Sequence, residues 1–153
     1  MIQRIQSLFL AGILLLMLLF LFLPFGTFGS DNGEIYSLFH NGLFKIVPAG
    51  RVAVYYNYAL SIITILVLIL TFLTIFSFRY RLVQIKYCGI IMFLLVVIMG
   101  SELWQLIQTA KSFSHYSLKI AFFFPIICIV LALLARKFIR RDEELVRSAD
   151  RIR

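Results

Sequence analysis

The chain has 153 residues, 62% of them hydrophobic and 14% charged, with a mean hydropathy of +0.99. A soluble domain of this length has too little interior to hide that much apolar surface, so lipid must replace water around much of it. The formal net charge of +8 raises nucleic acid as a partner. No basic face interleaved with aromatics accompanies it, so no nucleic acid is expected.

Four apolar segments follow in chain order, at residues 5–23, 56–78, 88–108 and 118–136. Each approaches the roughly 20 residues that cross about 30 Å of hydrocarbon as a helix. The first is preceded by Arg4 and followed by the small residues of "GTFGS", an arrangement shared with secretory signals. Its apolar run is longer than a signal core and no A-x-A site follows, so a retained anchor is expected. Ser7, Ala11 and Gly12 in this segment permit a second helix to approach closely.

Residues 25–54 form the longest connection and contain "EIYSLFHNGLFKIV". Asn41-Gly42 between runs of Ile, Tyr, Leu, Phe and Val predicts a β-hairpin with a type I′ turn. An isolated hairpin is marginal in water, so it should lie on the helices or the headgroups. His40 beside the turn reads as a lone exposed histidine and not a metal ligand, and Pro48 and Gly50 lead back to the second span.

The second span carries Ser61, Thr64, Thr71, Thr74 and Ser77, whose hydroxyls can bond their own helix or a neighbour. The inner connection after it holds Arg79, Arg81 and Lys86. In the third span, "GSELWQLIQTA" sets Glu102, Gln105, Gln108 and Thr109 at three and four residue spacing on one polar face. Such a face could line a cavity or carry protons. The preferred reading is that it nears the outer interface and bonds neighbouring helices or water. Pro125 in "FFFPIIC" is expected to kink the fourth helix and free the carbonyl of Ala121. Cys88 and Cys128 are expected to pack as small hydrophobes, without a disulfide.

The tail, residues 137–153, keeps helical periodicity. Arg140 with Glu144 and Glu143 with Arg147 are opposite charges four apart, and Leu145, Val146, Ala149 and Ile152 form an apolar strip. The strip could lie on headgroups or dock on a cytoplasmic partner. Eleven of the basic residues fall at the N-terminus, the inner connection and the tail, and four on the other side. By the positive-inside rule both termini are cytoplasmic. Tyr55, Tyr56, Tyr58, Trp104 and Tyr116 would then mark the outer interface, and Phe78, Tyr80 and Tyr87 the inner one. The candidate contacts for anionic headgroups or a protein partner are Arg79, Arg81, Lys86, Arg140, Arg141, Leu145, Arg147 and Ile152.

No phosphate-cradling glycine loop, nucleophile elbow, metal-ligand cluster or catalytic triad is present in the sequence, so neither a cofactor nor a catalytic residue is expected. A quinone-linked thiol oxidase would need cysteine pairs this chain lacks. A small multidrug exporter typically carries its carboxylate in the first span, where this chain has none.

"LLARKFIRRDEELVRSADRIR", with "MIQRIQSLFL", "FRYRLVQIKYCGI" and "FFFP", resembles a family of small bacterial four-helix membrane proteins catalogued only as a domain of unknown function. The match covers nearly the whole chain, and "RRDEELVRSADRIR" is its most specific part. The resemblance implies an inner-membrane protein of Gram-negative bacteria and supplies no activity, substrate or cofactor. The expected fold is all-α: one membrane domain over residues 1–153, a four-helix up-down bundle with N-in/C-in topology, a small extracytoplasmic hairpin and a cytoplasmic helical extension. The expected function is noncatalytic, as a scaffold or accessory subunit of a membrane assembly. The alternative is a small transporter or ligand-binding protein using the face around Glu102.

Overall fold

Backbone N–H and C=O groups in an apolar segment have no water to bond and must pair within their own turns, which makes the long apolar runs helices. The computed structural model describes residues 3–77 and 80–150. The elements run α1 (Gln3–Phe20), β1 (Gly26–Gly29), β2 (Ile35–Phe39), β3 (Gly42–Val47), β4 (Gly50–Tyr56), α2 (Ala59–Phe76), α3 (Arg81–Ala110), β5 (His115–Leu118), a 3₁₀ turn (Ile120–Phe123) and α4 (Phe124–Asp150). Ala59–Phe76, Arg81–Ala110 and Ile120–Val146 are long and apolar enough to cross a membrane, whereas the apolar helix Ile5–Phe20 is shorter.

Each helix buries one stripe at three and four residue spacing. The stripes are Leu10, Ile13, Met17 and Phe20 on α1, Leu60, Thr64, Val67 and Thr71 on α2, Cys88, Ile91, Leu95 and Ile98 on α3, and Cys128, Ala132, Ala135 and Ile139 on α4. The opposite faces carry exposed Leu8, Ile62, Phe93 and Val130, the inverse of a water-soluble surface. α1 packs on α2 and α4, and α3 on the same two. Gly12 permits the close approach of α1 to α4, since a Cβ there would sit 3.3 Å from Leu131 Cδ1. The hydroxyls of Thr64, Thr71, Thr74 and Ser77 donate to the carbonyls four residues back in α2, and so serve their own helix.

The connections at one end of the helices form a five-stranded antiparallel sheet in the order β4-β3-β2-β1-β5. This corrects the all-α expectation: the protein is mixed α/β, and the anticipated hairpin is two strands of a larger sheet. β1 is short and glycine-flanked, and its partner β5 lies some ninety residues away, with Thr27 Oγ1 donating to Ser117 O at 3.4 Å. Phe28 and Tyr36 on one sheet face meet Phe113 beyond the end of α3, at ring separations of 5.5 and 4.8 Å. That contact seats the sheet on the helices.

The hairpin turn is displaced by one residue. Phe39 pairs with Gly42, so His40 and Asn41 form the loop and Gly42 opens β3. No residue other than glycine has positive φ among the described residues, which rules out the predicted type I′ geometry at Asn41. The register follows burial: Leu38 opposes Leu43, and Tyr36 opposes Lys45. A loop at Asn41-Gly42 would instead oppose Leu38 to Lys45, splitting the buried leucine pair.

Pro125 also departs from expectation. It is the second residue of α4, where a missing N–H belongs to the first turn and costs nothing, so it starts the helix and does not kink it. The Ala121 carbonyl accepts from Phe124 N–H in the 3₁₀ turn and is not freed. The tail is helical as far as Asp150, continuous with α4. Cys88 and Cys128 are buried free thiols.

Candidate functional site

Two regions carry polar groups that packing alone does not explain. The first is on α3, whose buried stripe runs Gln84, Cys88, Ile91, Leu95, Ile98, Glu102, Gln105, Leu106 and Thr109. Glu102 is 0% exposed, and neither carboxylate oxygen has a hydrogen-bond partner among the described residues. The Oε1 of Gln105, one turn on, is likewise buried and unpartnered. Gln108 is not part of this group: it lies exposed and accepts from Lys111 Nζ at 3.1 Å. Thr109, expected on the same face, is buried with its hydroxyl 3.3 Å from Tyr55 OH of β4. The spacing supports either choice, because 105 to 108 and 105 to 109 both fall on one helix face.

Gln105 also lines a groove of about 350 Å³ with Asn57, Leu60, Gly100, Ser101 and Trp104, where small α3 residues face the start of α2. A second hollow of about 390 Å³, lined by Leu43, Tyr55, Gln108, Thr109 and Phe113, lies between the sheet and the end of α3. An ionised carboxylate kept from water without a donor is costly, on the order of several kcal/mol. Among the described residues no three His, Cys, Asp or Glu gather, so the donor set does not fit a divalent metal. What this face can do is hold a proton or accept hydrogen bonds from a small ligand.

His40 is half-buried, not exposed. Its ring centroid is 6.3 Å from that of Phe20, and Nδ1 is buried without a partner among the described residues. Burial holds its pKa below the ordinary 6.5. Its carbonyl accepts from Ser61 Oγ at 3.4 Å, tying the hairpin loop to α2.

The second region is the opposite end of the helices. Arg81 Nη1 donates to the carbonyl of Asp142 at 3.1 Å, and Nη2 lies 3.2 Å from Asp142 Oδ2. Arg81, one of the expected outward contacts, is therefore used inside the protein to hold α4 against the start of α3. Sequence reading missed Asp142 because its partner lies 61 residues away. Gln84 Nε2 donates to Thr74 O at 2.9 Å and ties α3 to α2 at the same end. Lys86, Arg140, Arg141 and Leu145 are exposed as expected, with Leu145 51% accessible. Arg79 and Ile152 lie outside the described residues, as does the side chain of Arg147.

Among known proteins, the family model described as Domain of unknown function (DUF4293) matches residues 2–152. No curated protein matches the chain.

Proposed function

From a chain that belongs to the DUF4293 family, which brings no reaction with it, we propose a noncatalytic integral protein of the bacterial inner membrane, acting as a scaffold or accessory subunit. The observation that carries this reading is α4. It continues to Asp150 well past its apolar half, is clamped by the Arg81–Asp142 pair, and presents exposed Leu145 and Val146 among exposed charges. A clamped helix with an apolar strip in a charged surround is a preorganised docking element, because binding to it costs little further ordering. The basic excess at this end supports a cytoplasmic tail, with the sheet on the outer side.

The test is a pull-down from gently solubilised native membranes, comparing the full chain with one ending at Lys137. Loss of specific partners on truncation supports the docking role. Identical partner sets, or none in either case, remove its basis.

A second reading is favoured by the unpartnered carboxyl of Glu102: a small transporter or ligand-binding protein using Glu102 and Gln105. Under it, Glu102→Gln abolishes uptake or binding while the fold persists. A carboxamide that leaves the phenotype of native cells unchanged sinks it.

A further inference from the structure

The described face of α4 changes character along a single line. Ile126, Val130 and Leu133 are exposed apolar residues at four and three residue spacing, 40 to 53% accessible. On the same line beyond them, Leu133, Arg136, Lys137, Arg140, Arg141 and Glu144 line a groove of about 590 Å³. Four cations thus face one carboxylate, and that carboxylate sits at the end farthest from the apolar residues. Arg136 Nε is buried with no hydrogen-bond partner among the described residues. Arg140 lines both this groove and a neighbouring hollow of about 290 Å³, which Glu143 and Glu144 share with Leu82 and Ile85 of α3.

We propose that this groove seats the phosphodiester headgroup of an anionic phospholipid, with an acyl chain along Ile126, Val130 and Leu133. A lipid is complementary to this face along its length, with hydrocarbon against the apolar residues and a compact negative charge against the cations that begin one helical turn on. From Ile126 to Leu133 the helix rises about 10 Å, enough to support the upper part of an acyl chain. Arginine forks match the paired oxygens of a phosphate. The excess of cations over carboxylates selects a headgroup of net negative charge over a zwitterionic one. The inference is independent of any protein partner and requires only that α4 lie in a bilayer.

The experiment uses the full chain purified in neutral detergent, with phosphatidylglycerol or phosphatidylcholine of matched acyl length added. Retained lipid is counted by native mass spectrometry and thermal unfolding is followed in parallel. Phosphatidylglycerol is expected to be retained selectively and to raise the unfolding temperature. The double change Lys137→Gln with Arg141→Gln, both exposed and so harmless to folding, is expected to weaken retention on the order of 20-fold, since each cation near an anionic surface contributes about fivefold. Arg136→Gln with Arg140→Gln should do at least as much. The charge-matched control, Lys111→Gln with Lys119→Gln at the sheet end, should leave retention unchanged.

Equal retention of the two lipids, or equal losses in the control and groove variants, overturns the proposal. So does inorganic phosphate stabilising the chain as well as the lipid does, for then the groove reads phosphate alone. Alkaline carbonate extraction of native membranes separates the two levels. A chain released by carbonate defeats the membrane reading itself, whereas a retained chain with no lipid preference defeats only this site.

Discussion

Gly42 shows how much of the sheet rests on one missing side chain. Its φ is +143°, and a Cβ there would lie 2.2 Å from the carbonyl oxygen of Tyr55 in the adjoining strand. Gly42→Ala therefore both strains the backbone and pushes β3 from β4. A loss of about 2 kcal/mol or more is expected, against about 1 kcal/mol for Gly33→Ala, whose φ is +76° with nothing within 4 Å. Thermal unfolding in detergent orders the two. Equal losses would show that the crowding at Gly42 is relieved elsewhere. Glu34, Lys45 and Tyr36 set a pH dependence on the same hairpin. The Lys45 ammonium and the Tyr36 hydroxyl donate to Glu34 and hold its carboxyl below the ordinary 4.5. The Glu34 hydrogen bond likewise raises Lys45 above 10.5. A depressed carboxyl stabilises the fold above 4.5 and loses that contribution as pH falls through its lowered value; a raised ammonium stabilises it below 10.5 and loses that contribution as pH rises further. The stability gap between wild type and Glu34→Gln should be flat between pH 4.5 and pH 10.5 and close on either side of that window. The pair is partly exposed, so salt should narrow the gap. A gap that persists in strong acid contradicts this account.

Among the elements, α4 is the one whose ends matter most. Its start is fixed by Pro125 in the first turn, after a 3₁₀ turn that feeds the chain in from the sheet. Its far half is held by Arg81, and the side chains of that pair are only 20% and 13% exposed. Arg81→Gln leaves a shielded carboxylate without its cation, which costs about 1–3 kcal/mol locally. Amide exchange over residues 140–150 is expected to quicken while that of α2 is unchanged, and Asp142→Asn added to Arg81→Gln should restore part of the protection. Exchange that quickens equally in both helices would mean the pair supports the whole fold and not this one element. α3 shows the reverse economy. Its stripe is apolar through Cys88, Ile91, Leu95 and Ile98 and turns polar at Glu102 and Gln105.

For the whole molecule, the sheet sits at one end of the helices and the basic tail at the other, and this polarity is open to a direct test. Cys88 and Cys128 are 0% exposed, so an added surface cysteine would react against little background. Asn32→Cys, in the turn between β1 and β2, is expected to take an impermeant maleimide in intact cells with the outer membrane permeabilised. Ser148→Cys, near the end of α4, should label only after the inner membrane is opened. The opposite pattern overturns the proposed orientation, and with it the proposed cytoplasmic docking face.

Hydropathy and helical periodicity in the sequence determined where the long helices lie and that Glu102 shares a face with Gln105. Those are local properties, set by spacing along one chain segment and by the need of each backbone group for a nearby partner. The β2–β3 hairpin was legible as β-prone runs flanking Asn41-Gly42, with its turn one residue away from where that dipeptide put it. Tertiary structure alone decided the rest. β1 and β5 carry too few residues to announce themselves: β1 is a strand because β2 and β5 flank it, and β5 because β1 is brought beside it. The turn register was settled by Leu38 and Leu43 burying together, the role of Pro125 by where the 3₁₀ turn ends, the exclusion of Gln108 by which side of α3 the neighbours cover, and the Arg81–Asp142 clamp by helices that meet 61 residues apart. Each of these depends on contacts between distant segments, and no periodicity in a single segment records which distant segment will arrive.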